Sequence, residues 1–105
     1  MKEEIQVAIE FLSKHLFKSF NESDLNEVKE NLSQILHERF TGHWYEDKPM
    51  KGQAYRSIRY RRMDKDIDPV FDCLFKRCEK IFNNPFKFPF QDFTLWIDPG
   101  EVSCR

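Results

Sequence analysis

Hydrophobic positions recur every three or four residues through the first forty positions of the chain. From Glu3 to Phe20 they fall at Ile5, Ala8, Ile9, Leu12, Leu16 and Phe20, a spacing that gathers them on one face of a helix. Glu3 and Glu4 at its start and Lys14 and Lys18 late in it suit the helix dipole. Asn21-Glu22-Ser23 interrupts the pattern and offers Asn21 and Ser23 as N-caps. A second stripe, Leu25, Val28, Leu32, Ile35, Leu36 and Phe40, predicts a helix from about Asp24 to Phe40, stopped by Gly42. Two such helices joined by a short polar link predict an antiparallel helix pair.

The period then changes. His43 to Gly52 has none, and Pro49 and Gly52 mark an ordered loop. Ala54 to Arg61 alternates as a strand does, with a short helical turn at its beginning as the alternative: Ala54, Ile58 and Tyr60 on one side, interrupted by Arg56, and Tyr55, Ser57, Arg59 and Arg61 on the other. Asp68-Pro69 supplies a cap and a proline suited to the first helical turn. The helix it starts carries Val70, Phe71, Leu74, Phe75, Cys78, Ile81 and Phe82 to about Asn83. After a Phe- and Pro-rich connector, Phe93 to Asp98 reads as a strand. Pro99-Gly100 forms a type II turn, and Glu101 to Arg105 returns as a second strand. The expected fold is a single compact α+β domain, with the helix pair packed on a small, mostly antiparallel sheet and a further helix.

Composition narrows the function. With 105 residues the chain suffices for one core, and its 11 Phe give that core bulk. A net charge of −1 supplies no global field towards nucleic acid or anionic membrane. Three cysteines are too few and too odd for a secreted disulfide framework, the N-terminal residues are acidic, and no stretch approaches membrane-spanning length. An intracellular compartment is expected.

Catalytic patterns are scarce. His15, His37 and His43 fall in no nucleophile, phosphate-loop or metal motif. Cys73 and Cys78, five apart on a helix, point roughly 140° from one another. No spacing singles out a carboxylate cluster among Asp64, Asp66, Asp68, Asp92 and Asp98. No metal, no cofactor and no enzymatic activity are expected. The run Arg56, Arg59, Arg61, Arg62 and Lys65, interleaved with Tyr55 and Tyr60, offers an RNA-binding strand as the alternative function. A solvated, charged sheet edge explains the same run, and direct nucleic-acid binding is not the favoured reading. The sharper clue is Trp96. It shares a strand face with Thr94 and Asp98, opposite Phe93, Leu95 and Ile97, so an inward aliphatic face turns the indole outward beside a carboxylate. Tyr55 lies similarly, opposite Ala54 and Ile58. Rings so placed are typical protein-contact residues, whereas helices on both sheet faces would bury them.

The segments that carry these rings, His43-Trp44-Tyr45-Glu46-Asp47-Lys48-Pro49-Met50-Lys51-Gly52-Gln53-Ala54-Tyr55-Arg56-Ser57-Ile58-Arg59 and Leu95-Trp96-Ile97-Asp98-Pro99-Gly100-Glu101-Val102-Ser103-Cys104-Arg105, resemble box A and box B of the BTG/Tob antiproliferative family. The N-terminal helix pair and the Asp68-Pro69 helix start are similar too. The resemblance spans residues 1–105, with box A at about 39–60 and box B at about 90–105. It implies a non-enzymatic adaptor that binds the Caf1-type deadenylase subunit of the CCR4–NOT complex and promotes mRNA deadenylation and turnover. Antiproliferative and transcriptional co-regulator roles, transcription-factor partners, cytoplasmic and nuclear residence, and a monomeric state outside the complex belong to the same implication. The binding residues it carries across are Tyr55, Trp96 and Asp98. Trp44, Pro49, Lys51, Gly52, Pro99 and Glu101 match the boxes as supporting positions. Ser57 stands where family members usually have cysteine, and Gly100 where a larger residue is common. The connector proline, Pro89, comes one place early. The family domain continues into another strand beyond the position of Arg105, which leaves the expected sheet one strand short.

Overall fold

The computed structural model describes residues 1–15, 17, 20–61, 65–82 and 92–104. The first hydrophobic stripe folds as α1, Lys2–His15, burying Ile5, Ala8, Ile9 and Leu12. The second folds as α2, Glu22–Phe40, burying Val28, Leu32, Ile35, Leu36 and Phe40. The caps follow the sequence: the Asn21 side chain accepts a 2.8 Å hydrogen bond from the Asp24 amide. Gly42, at φ 86°, turns the chain out of α2 in a conformation that glycine adopts without strain. The two helices pack against each other, as expected, and Lys29 reaches back from α2 to Glu10 of α1 at 3.2 Å.

The stripe of α1 was expected to run to Phe20, but the helix stops at His15. Phe17 explains the break. Five residues beyond Leu12, it would sit about 140° off the buried stripe on a continued helix. Leaving the helix instead buries it to 1% exposure in an aromatic cluster, 5.5 Å from Phe20 and 6.0 Å from Phe82. Leu16, expected in the stripe, lies outside the described residues, as does the connector from 83 to 91.

A one-turn helix, α3 (Gln53–Arg56), precedes β1 (Ser57–Arg61), so the strand expected from Ala54 is shorter by three residues and the alternative of a helical turn at its start holds. The turn forms because Gly52 takes φ 76° and Tyr55 N–H donates to Gly52 O at 3.0 Å. A two-residue strand β2, Asp66–Ile67, pairs with β1 and had no sequence signature. The helix α4 (Pro69–Arg77) begins where expected, with Asp68 Oδ1 accepting from Val70 N–H at 2.9 Å. It ends six residues before Asn83; turns through Cys78 swing Phe82 to 4.9 Å from Phe75 and onto the Phe17 cluster.

Strands β3 (Phe93–Asp98) and β4 (Glu101–Cys104) complete an antiparallel sheet of order β2-β1-β3-β4. The register pairs Ile58 with Leu95 and Ile97 with Val102 on the core face. On the opposite face it pairs Ser57 with Trp96 and Trp96 with Ser103. Ile58, Leu95 and Ile97 are wholly buried, and α1 crosses β3 and β4 above them. At that crossing Gly100 N–H donates to the Glu4 carboxylate at 3.0 Å, tying α1 to the β3–β4 turn.

Two expected outcomes follow from this packing. Leu32 is 1% exposed between α2 and its neighbours, and truncating such a residue costs about 2–5 kcal/mol. Leu32→Ala is therefore expected to lower the melting temperature by several degrees, and a thermally silent variant would refute the core assignment. Glu4 provides a pH-dependent term. Burial raises its pKa, but hydrogen bonds from the Gly100 and Glu4 amides and from the terminal amine outweigh this and leave it below the ordinary 4.5. A depressed folded-state pKa stabilises above the unfolded value and is lost as pH falls through the folded one. Acid titration of the melting temperature below pH 4.5 should thus be shallower in Glu4→Gln than in the parent.

Candidate functional site

At the centre of the site lies a fully buried arginine. Arg56 ends α3 at 0% exposure. A guanidinium has five N–H donors in a fixed plane, and each finds an acceptor. Nε donates to His43 O at 3.1 Å. Nη1 donates to Ile97 O at 2.8 Å and to Asp98 Oδ1 at 2.6 Å. Nη2 donates to Pro49 O at 2.7 Å and Lys51 O at 2.8 Å. Its carbon stands 5.5 Å from the centre of the Trp44 ring, and Trp44 in turn stacks on Phe40 at the end of α2. The loop 43–52, α3 and β3 thereby meet at one side chain.

This arrangement corrects the surface reading of three residues. Arg56 is no part of a basic surface patch: it ends α3 fully buried, and its charge is neutralised inside by Asp98. Tyr60 is also buried, edge-on to Phe71 at 5.5 Å and stacked with Phe93 at 6.0 Å. Asp98 shares the outer face with Trp96 but is only 8% exposed, held by Arg56 and by Gln53 Nε2 at 3.2 Å. Nor is β1 a sheet edge, since β2 and β3 flank it. Of the basic run, Arg59 and Arg61 remain on the outer face, Arg59 paired with Asp66 at 3.5 Å and Arg61 donating to Thr94 at 3.3 Å. Arg62 lies outside the described residues.

The two rings do reach solvent. Tyr55 is 56% exposed and lies flat on His43, with centroids 4.0 Å apart. Trp96 is half-buried, with two short side chains, Ser57 and Ser103, as its cross-strand neighbours. Tyr55 precedes Ser57 by two residues, and Ser57 is the cross-strand partner of Trp96. Chain geometry therefore keeps the two α-carbons within about 13 Å. Arg39, from the last turn of α2, braces the same corner. Its Nε donates to Tyr55 O at 2.9 Å, its Nη2 to Ser57 O at 3.3 Å, and its Nη1 pairs with Asp68.

The supporting positions act mostly through backbone. Pro49 and Lys51 present carbonyls to Arg56, while Lys51 Nζ sits 4.4 Å over the Tyr45 ring. A Cβ on Gly52 would approach His43 O to 2.9 Å, so only glycine fits the turn there. Pro99 and Gly100 make the β3–β4 turn, Gly100 at φ 80°, and Glu101 stands exposed opposite Asp98. Among the described residues no group of three or more His, Cys, Asp or Glu is placed to hold a metal ion. Burial, reinforced by Glu27 and opposed by Arg77, pushes the Cys78 thiol up, away from nucleophilic use.

A BTG family model matches residues 1–105, the whole chain. The chain belongs to the BTG family. It is 39% identical over 109 residues to mouse Protein BTG3, 37% identical over 111 to the Xenopus laevis Maternal B9.10 protein, and 34% identical over 105 to human Protein Tob1. Each match covers 100% of this chain but only 41%, 44% and 30% of those proteins, so the chain spans less than half of the relatives' length. The solved BTG/Tob domain of C. elegans FOG-3, 17% identical, superposes with a TM-score of 0.76 over all of this chain and 74% of that one. The sequence resemblance to the BTG/Tob family and the α+β fold expected from it are both borne out.

Breaking a buried ion pair by removing one partner costs about 3–5 kcal/mol, and Arg56 leaves four carbonyls without donors besides. Arg56→Met is therefore expected to lower the urea midpoint of this BTG domain more than Arg59→Met does. Equal midpoints for the two would contradict the assignment.

Proposed function

We infer that this BTG domain is a non-enzymatic adaptor that docks the Caf1-type deadenylase subunit of the CCR4–NOT complex, with Tyr55 and Trp96 as contact residues and Asp98 completing the binding site from within. Through that contact it promotes mRNA deadenylation and turnover, in the cytoplasm and the nucleus, and restrains proliferation as a transcriptional co-regulator. It acts as a monomer joined to its partner, without cofactor or membrane attachment. The observation that carries the reading is the pair of solvent-reaching rings, brought to one corner of the sheet by a fully bonded arginine, in a chain of the BTG family. Large rings at an interface offer desolvated contact area at little conformational cost. Asp98 anchors the corner from within.

The alternative, RNA binding along the strand from 55 to 62, is weakened by the burial of Arg56 and Tyr60. Phosphate-driven binding also falls steeply with salt, whereas docking through rings does not.

Truncating an interface ring commonly costs about 2 kcal/mol or more, roughly thirtyfold in affinity. Tyr55→Ala and Trp96→Ala are each expected to weaken binding to the deadenylase subunit by that order while the melting temperature moves little. Titration of the purified subunit, with melting curves on the same samples, checks this. Folded variants of normal affinity would sink the proposed surface.

A further inference from the structure

A carboxylate beside an interface tryptophan invites a direct role, as an acceptor for the partner. The geometry argues for another. Asp98 is 8% exposed, and both of its oxygens are already engaged: Oδ1 by Arg56 Nη1 at 2.6 Å, Oδ2 by Gln53 Nε2 at 3.2 Å. A partner cation would have to compete with a desolvated guanidinium for the same charge. Arg56 spends its other donors on Ile97 O of β3 and on three carbonyls of the 43–52 loop, those of His43, Pro49 and Lys51. Tyr55 is its immediate predecessor in α3.

We propose that Asp98 is a positioning residue: its charge, acting through Arg56 and Gln53, locks the 43–52 loop and α3 onto β3, which sets Tyr55 beside Trp96, and it makes no contact with the deadenylase. This deepens the adaptor reading and rests on it. Neutralising Asp98 leaves Arg56 as a buried cation without a counter-charge, so the loop that Arg56 holds loosens before any partner arrives. The two rings then face the partner less often in the binding arrangement, and affinity falls by the lost population.

The test is a double-mutant cycle read in the free domain and in the complex. Asp98→Asn and Arg56→Lys are combined, and both hydrogen exchange of the amides from 43 to 56 and affinity for the Caf1-type subunit are measured. Expected are faster exchange in the free Asp98→Asn domain and an affinity loss of about tenfold, in line with the weight of a charged hydrogen bond. The double variant should be no weaker than the worse single one. Should Arg56→Lys fail to fold, Gln53→Ala takes its place, since it removes the donor on the other carboxylate oxygen. Unchanged exchange in Asp98→Asn overturns the proposal, as do losses that multiply in the double variant. Absence of any binding by the parent domain defeats the adaptor reading itself, and the positioning role with it, even where the exchange coupling persists.

Discussion

The corner where the 43–52 loop, α3 and β3 meet depends on one buried cation being fully bonded. An unpaired guanidinium in the interior is costly, and an ion pair alone often fails to offset its own desolvation. Arg56 avoids that deficit because Asp98 supplies the charge while four carbonyls supply the remaining acceptors. The same bonds satisfy backbone groups of a loop without regular structure, which would otherwise need water or a ladder of their own. The arginine is thus a substitute for secondary structure. It ties three carbonyls of residues 43–52 to one side chain where no helix or strand does so.

That constraint propagates outward in two steps. Gly52, with no room for a Cβ beneath His43 O, fixes the turn into α3, and α3 hands over to β1 at Ser57. The antiparallel register then sets Ser57 against Trp96. Arg39 adds a second clasp, joining the end of α2 to the Tyr55 and Ser57 carbonyls and to the cap of α4. Two arginines from different elements therefore hold the corner on which the exposed rings sit, one through the loop and one through the helical layer. A rigid scaffold presenting a few large rings suits an adaptor, whose contact surface works best when it is ordered before binding.

Much of the fold was legible because its signals were local. The stripes of α1 and α2, the Asn21 and Asp68 caps and the Pro99-Gly100 turn each lie within a few residues of what they specify. Element ends were less legible where tertiary burial overrides the period: Phe17 and Phe82 leave their helices to meet one another. The two-residue strand β2 carries too little pattern to be seen at all. At the site, the half-exposed Trp96 followed from alternation, whereas Tyr55 is exposed on the one-turn helix α3, beside a likewise exposed Ala54. Arg56 was missed, although the sequence did mark it. It interrupts the apolar set Ala54, Ile58 and Tyr60, and a cation in such a set signals a buried pair as readily as an irregular strand. Its partner, Asp98, lies 42 residues away, beyond the reach of any local pattern.

The central claim is that the two boxes form one surface, held from beneath and read by the deadenylase. The most direct measurement is a chemical-shift titration of the domain with the purified Caf1-type subunit, following the Trp96 indole, the Tyr55 ring and the amides of α1. Expected are perturbations of Trp96 and Tyr55 that saturate together at one stoichiometry, while the solvent face of α1 around Val7 and Glu10 stays unchanged. Perturbation centred on α1, or of one ring without the other, would contradict it.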